Sequence, residues 1–195
     1  MNGDKRDYVR GFGYQGGASR GGWGRDVAEL SIGPELKDAL TEPGSWGIGA
    51  TAFGEILPYH DNVVKLDKST KDAWGLPVLA FDCSIRDNEL KMRKDMMEDM
   101  KEMLEASGVK SVNTFDNQYF LAQGIHEMGT ARMGRDPKTS VLNGNNQMWD
   151  APNVFVTDGA CMASASCVNP SLTYMALTAR AADFAVKELK KNGKI

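Results

Sequence analysis

The chain has 195 residues, of which 42% are hydrophobic and 25% charged, a composition typical of one globular domain or two small lobes. A formal net charge of −3 at pH 7 provides no attraction to nucleic acid or anionic membranes, so neither is expected as a partner. No apolar run is long enough to span a bilayer, and three cysteines are too few for a disulfide framework. The polar N-terminus shows no signal peptide, which predicts a soluble protein, cytoplasmic by default, with its compartment left open.

The first half of the chain predicts loops and short strands. Residues 1–26 are rich in glycine, arginine and aromatic side chains without a clear period, which predicts a loop-rich segment. A short helix is predicted after Pro34. β-Branched content and bounding turn residues predict strands at 46–57, 62–66 and 77–85. Because their connections are short, we expect these three strands to form an antiparallel meander.

The most distinct helix is predicted at residues 87–107, with Asp87 as its N-cap and Gly108 just beyond its end. Its apolar stripe consists of Leu90, Met97, Met100 and Leu104, widened by Met96 and Met103. The pairs Glu89/Arg93 and Lys94/Glu98 are predicted on its solvent face. The methionines indicate either core packing or a partner surface, and core packing is favoured.

A short strand and a second helix are predicted near the C-terminus. Residues 153–157 contain an apolar run without alternation, typical of a strand buried on both faces. Residues 171–191 carry a continuous apolar face, which predicts an amphipathic helix. Asn169 suits the N-cap of this helix, and Pro170 suits its first position.

Two familiar motifs lack the context that their chemistry requires. The spacing Gly-x-Gly-x-x-Gly at residues 11–16 has no apolar strand before it and no helix-forming sequence after it, so a glycine-rich loop is preferred to a dinucleotide site. His126-Glu127 begins like a zinc-protease motif, but Thr130 stands where the second histidine is needed. The sequence therefore predicts no metal site.

Three positions could carry chemistry, and each also has a structural interpretation. Asn169 at a helix N-terminus either contributes to an anion site or is only a cap. Asp158 with Gly159 after a strand either binds a cofactor hydroxyl or forms a plain turn. His126 is either a general base or a structural histidine.

An ordered set of short motifs spans residues 124–180. It comprises His126-Glu127-Met128-Gly129-Thr130, Arg132-Met133-Gly134, Asp136-Pro137, the strand ending in Asp158-Gly159, and Asn169-Pro170-Ser171-Leu172-Thr173 leading into a helix with Ala179-Arg180-Ala181-Ala182-Asp183. In this order the motifs resemble the C-terminal portion of the glucose–methanol–choline (GMC) family of flavin-dependent alcohol oxidoreductases. Weaker similarity through residues 53–58 and 71–77 resembles the family's substrate-domain sheet, in the branch that acts on sugars and sugar acids.

The resemblance implies an α+β or α/β fold in two parts. Residues 1–120 would form part of a substrate-binding domain, with an antiparallel sheet and packed helices. Residues 121–195 would supply the C-terminal strand and helix of an FAD-binding Rossmann-like domain, together with the catalytic residues. The N-terminal dinucleotide-binding half of that domain is absent from this sequence.

The resemblance also implies a reaction and its residues. An alcohol or sugar would lose hydride from a CH–OH group to N5 of FAD, with His126 as the base and Asn169 hydrogen-bonding the same oxygen. Asp158, Gly159 and Ala160 would line the flavin. Asn169 and Pro170 would place a helix N-terminus at it, and Thr173 would contact it.

Three interpretations of the chain stay open. It is a fragment that retains the catalytic residues, or one half of a split enzyme that docks on a separate N-terminal FAD-binding half. Alternatively, it is a truncated, non-catalytic scaffold or interaction module that does not bind flavin alone. Apolar surface left exposed on the last helix would favour self-association. The substrate, the electron acceptor and the choice between oxidase and dehydrogenase are not determined by these motifs.

Overall fold

The computed structural model describes residues 5–21, 32–123 and 126–193. Its elements in chain order are β1 (Phe12–Arg20), α1 (Pro34–Thr41), β2 (Trp46–Gly54), β3 (Val63–Lys71), β4 (Pro77–Asp82), α2 (Asp87–Ala106), a short 3₁₀ turn (Gly159–Cys161) and α3 (Ser171–Asn192). The chain divides into two compact units, one formed by residues 13–53 and the other by residues 1–12 with 54–195. Helices beside small sheets agree with the predicted α+β character.

The smaller unit contains α1 and a two-stranded sheet of β1 and β2. The prediction of a loop-rich segment is wrong over Phe12–Arg20, because pairing with β2 supplies hydrogen bonds that the local sequence does not reveal. The rest of that predicted segment lies partly outside the described residues. A Cβ on Gly16 would meet the carbonyl oxygen of Gly49 at 2.2 Å, so glycine is required for this close strand approach. The short helix predicted after Pro34 is confirmed.

In the larger unit, β3 and β4 form an antiparallel hairpin, with Val63 opposite Asp82 and Lys71 opposite Pro77. The predicted three-stranded meander is wrong, because β2 pairs with β1 and only β3 pairs with β4. Strand β3 also extends to Lys71, through half of the connection between the second and third predicted strands. A tight turn at Asp72, whose carboxylate accepts hydrogen bonds from the N–H groups of Trp74 and Leu76 at 2.9 Å, closes the hairpin.

Helix α2 is confirmed at Asp87–Ala106, and Gly108 beyond its end has the predicted left-handed conformation, with φ of 90°. The N-cap is Arg86 rather than Asp87. The core face of α2 is built from Met92, Met96 and Met100, spaced one turn apart and all buried. The predicted stripe is therefore rotated, since Leu90 and Met103 are 53% and 51% exposed.

Glu89 on the first turn of α2 is buried, with 4% exposure, so its predicted solvent pair with Arg93 is wrong. Its carboxylate accepts hydrogen bonds from the N–H of Leu57 at 3.1 Å and from the hydroxyl of Tyr59 at 3.0 Å. Arg93 pairs instead with Asp116. The predicted Lys94–Glu98 pair is confirmed at 3.6 Å.

The predicted strand at 153–157 is a single bridge, in which Phe155 pairs with Gln147 in a hairpin-like loop. Burial on both faces is wrong, because Val154 is 39% exposed and both Phe155 and Val156 are only half-buried. Helix α3 packs beside this segment, with the rings of Phe155 and Phe184 6.4 Å apart and edge to face. No described helix is long and apolar enough to cross a membrane. The predicted Rossmann-like arrangement of this part stays a prediction.

Candidate active site

The segment that begins at His126 runs alongside the turn that begins at Asp158. The N–H of Ala131 donates to the carbonyl of Ala160 at 3.0 Å, and the N–H of Met133 donates to the carbonyl of Cys161 at 2.9 Å. Two motifs that are distant in sequence are therefore joined through the main chain.

Two glycines allow this close approach. Gly129 has φ of 86°, a conformation that favours glycine, and a Cβ there would lie 3.6 Å from the carbonyl oxygen of Met162. A Cβ on Gly159 would lie 2.8 Å from the side chain of Met128 and 3.3 Å from the carbonyl oxygen of Glu127. The missing side chain at Gly159 thus makes room for the histidine's own segment.

Asp158 caps the turn that it begins. One carboxylate oxygen accepts a hydrogen bond from the N–H of Ala160 at 3.0 Å, and the side chain is exposed. The N–H of Ala160 is thereby used, whereas its carbonyl, which accepts from Ala131, retains a second lone pair. The second carboxylate oxygen of Asp158 can accept from a ligand hydroxyl.

His126 is half-buried, whereas the other histidine, His60, is exposed. The two residues before His126 lie outside the described part of the chain. Between the described residues, no hydrogen bond joins His126 to Asn169. Their cooperation at one substrate atom therefore remains a prediction.

Helix α3 is confirmed from Ser171, but its N-cap lies one residue later than predicted. Pro170 is buried and is itself the N-cap, with φ of −91° and ψ of −4°, so Asn169 precedes the cap and is exposed. The reason is that the carbonyl of Pro170 accepts the first helical hydrogen bonds, from Thr173 at 3.0 Å and Tyr174 at 3.3 Å. Within the described part of the chain, no side chain caps this helix, so its first N–H groups face outward beside the exposed Thr173.

The hydroxyl of Thr178 donates to the carbonyl of Thr157 at 3.0 Å, which joins α3 to the residue before Asp158. Thr178 lies two turns into the helix, roughly 10 Å from its N-terminus along the axis. A carboxylate for hydroxyls and a helix N-terminus for negative charge fit a flavin cofactor.

Asn146 is a polar residue that the sequence did not single out for this region, and it contacts Arg180, which was named only as part of the helix motif. Asn146 is fully buried, with 0% exposure, and its side-chain oxygen accepts from the guanidinium of Arg180 at 3.3 Å. The only sequence signal was an asparagine in a glycine-containing turn. Within the described residues, no group of three or more His, Cys, Asp or Glu side chains is arranged to hold a metal.

Comparison with known proteins agrees with the motifs. Residues 58–178 match the family model described as GMC oxidoreductase. The chain is 38% identical over 133 residues to the 2-methyl-1,2-propanediol dehydrogenase of Mycolicibacterium austroafricanum, a match covering 68% of this chain and 24% of that protein.

Two further relatives show the same partial coverage. The gluconate 2-dehydrogenase flavoprotein of Pantoea cypripedii is 33% identical over 154 residues, covering 75% of this chain and 25% of that protein. The fructose dehydrogenase large subunit of Gluconobacter japonicus is 29% identical over 160 residues, covering 82% of this chain and 29% of that protein. The chain thus spans between 24% and 29% of the length of these curated relatives. The family match covers more than half of the chain, which therefore belongs to the GMC oxidoreductase family and corresponds to its C-terminal portion.

Proposed function

We propose that this chain carries the catalytic C-terminal part of an FAD-dependent oxidoreductase that acts on a CH–OH group of an alcohol or sugar. The observation that carries the proposal is the main-chain pairing of the His126 segment with the Asp158 turn. This pairing supports a site in which a half-buried histidine and a turn suited to a cofactor lie on adjoining segments. The names of the relatives, which are dehydrogenases of a diol, of gluconate and of fructose, support the substrate class.

His126 is proposed as the base that takes the proton of the substrate hydroxyl. Imidazole exchanges protons readily near neutral pH, and partial burial shields His126 from bulk water while leaving it accessible. Asn169 would hydrogen-bond the same oxygen through its amide and fix its orientation. General-base catalysis of this kind contributes about 10²–10⁴ in rate.

Asp158, Gly159, Ala160, Asn169, Pro170 and Thr173 are proposed to form the flavin-facing surface. Asp158 would accept from a cofactor hydroxyl, and the uncapped N-terminus of α3 would favour negative charge on the part of the cofactor that faces it. FAD, when bound, supplies the acceptor for the hydride that leaves the substrate carbon.

The test is a chimera in which this chain replaces the matching C-terminal segment of the Mycolicibacterium austroafricanum dehydrogenase. Visible absorbance reports bound flavin, and an artificial electron acceptor reports turnover, with the parent enzyme as control. Bound flavin with turnover on alcohols or sugars is expected. A folded chimera with neither would favour the non-catalytic scaffold.

An interaction module is the second candidate, favoured by the exposed apolar side chains. Leu172 and Met175 on α3 are 79% and 63% exposed, and Trp74 is 85% exposed. Surfaces of this kind mark contacts with another protein or with a second copy. Light scattering of the chain alone, and after co-expression with the N-terminal portion of the same dehydrogenase, separates self-association from docking. A monomer in both samples would argue against this candidate.

A further inference from the structure

Asn146 is a buried asparagine whose hydrogen-bonding groups all find partners. Its side-chain amide donates to the carbonyl of Val156 at 3.0 Å, and its own carbonyl accepts from the N–H of Val156 at 3.0 Å. Its N–H donates to the carbonyl of Asn143 at 3.2 Å. With φ of 63°, it also occupies a conformation that asparagine tolerates better than most residues. Position 146 therefore requires both the amide side chain of asparagine and a residue that tolerates a positive φ.

Through Arg180, Asn146 connects the hairpin-like loop that contains Gln147 and Phe155 to helix α3 and to the His126 segment. The side-chain oxygen of Asn146 accepts from Arg180 of α3 at 3.3 Å, and the same guanidinium nitrogen lies 3.6 Å from the sulfur of Met133. Burial raises the pKa of the Cys161 thiol, and a hydrogen bond with the side chain of Asn146 partly offsets this effect.

The contacts of Asn146 and Arg180 affect His126 through the main chain. The hydrogen bond from Met133 to Cys161 is one of the two main-chain bonds, with that from Ala131 to Ala160, that pair the histidine segment with the Asp158 turn. Arg180 contacts Met133 at 3.6 Å, and Asn146 is bonded both to Arg180 and to Val156, two residues before Asp158. A substitution at Asn146 or Arg180 should therefore change the position of the His126 segment relative to the Asp158 turn.

We propose that Asn146 and Arg180 are positioning residues that hold the His126 segment, the Asp158 turn and α3 in one fixed arrangement. Neither side chain is proposed to touch substrate or cofactor. The catalytic meaning of this arrangement rests on the proposed function, but its existence does not. Truncating either side chain leaves its polar partners without hydrogen bonds. The three elements are therefore expected to change their relative positions, and not only to become more mobile.

The chain offers a direct spectroscopic test, because His60 and His126 are its only histidines. We expect Asn146→Gly, which keeps the left-handed backbone accessible, to shift the NMR signals of the His126 ring while those of His60 stay unchanged. In the flavin-loaded chimera, kcat is expected to fall on the order of 10- to 100-fold with KM nearly constant.

Two further variants protect the test against misfolding. Arg180 is exposed, so Arg180→Met removes its hydrogen bonds without opening the core, and it should shift the His126 signals in the same direction. Arg180→Lys, which keeps a donor, should restore them in part. Glu89→Gln is the matched control, because its partner Tyr59 adjoins His60, and it should shift the His60 signals only.

Unchanged His126 signals in folded Asn146→Gly and Arg180→Met would overturn the proposal, as would equal shifts at both histidines. The experiment requires neither flavin nor turnover. Shifted His126 signals with an inactive chimera would therefore contradict the proposed function while supporting the positioning role.

Discussion

The N–H of Ala131 donates a hydrogen bond of 3.0 Å to the carbonyl oxygen of Ala160, which fixes the histidine segment to the turn that follows Asp158. This link and its neighbour between Met133 and Cys161 use main-chain atoms only. Side-chain substitutions at His126 or Asp158 therefore leave the two segments joined. Such substitutions can test the chemistry of the site without dismantling it.

Replacing His126 with alanine is expected to remove the base and keep the cofactor. In the chimera, His126→Ala should lower kcat by about 10²–10⁴-fold while visible absorbance still reports bound flavin. His60→Ala is the matched control, because His60 is exposed and lies outside the site, and its activity should equal that of the unsubstituted chimera. Loss of flavin in His126→Ala would assign the residue a structural role instead.

Asp158 is expected to serve both its turn and the cofactor. Asp158→Asn retains an oxygen that can accept from the N–H of Ala160, so the turn should persist, whereas Asp158→Ala should cost about 1 kcal/mol of stability. The Kd for FAD in the chimera should rise for both variants, by about tenfold for alanine and less for asparagine. Unchanged FAD affinity in a folded Asp158→Ala chimera would remove Asp158 from the proposed cofactor site.

Glu89 is expected to make stability depend on pH. Burial by itself raises the pKa of Glu89, but hydrogen bonds from Leu57, Asn88, Tyr59 and Arg86 outweigh it and leave the pKa below its ordinary value. A lowered folded-state pKa stabilises the fold above the unfolded pKa of about 4.3, and that contribution is lost as pH falls through the folded value.

Glu89→Gln tests this dependence by urea unfolding at several pH values. The substitution should cost about 1–3 kcal/mol at pH 7, because one end of the amide is a donor that faces other donors. The difference from the unsubstituted chain should shrink as pH falls below about 4.3. A stability difference between the two proteins that stays constant from pH 7 to pH 3 would show that ionisation of Glu89 does not stabilise the fold.

The methionines of α2 should contribute to the free energy of unfolding according to how deeply each is buried. Met96 is 8% exposed and Met103 is 51% exposed. Met96→Ala should lower the free energy of unfolding by about 2–5 kcal/mol, whereas Met103→Ala should cost well under 1 kcal/mol. Chemical denaturation measures both. Equal small effects would indicate that α2 uses its methionines for a partner surface rather than for the core.

The sequence by itself determined the features that depend on local chemistry or on ordered motifs. Residues close together in the chain predict the periodicity of α2, its end before Gly108 and the short helix after Pro34. The family follows from short motifs in a fixed order. Such signals need no knowledge of distant partners, because helix periodicity and end signals act within a few residues.

Only the tertiary structure decided which segments meet. The pairing of β1 with β2, the burial of Glu89 and the central position of Asn146 each depend on a partner far along the chain. Their local sequences look like a glycine-rich loop, a solvent-facing carboxylate and a turn. Strand pairing and buried polar contacts form between residues that are far apart in the chain, and this is why residue order alone predicted the helices but not these contacts.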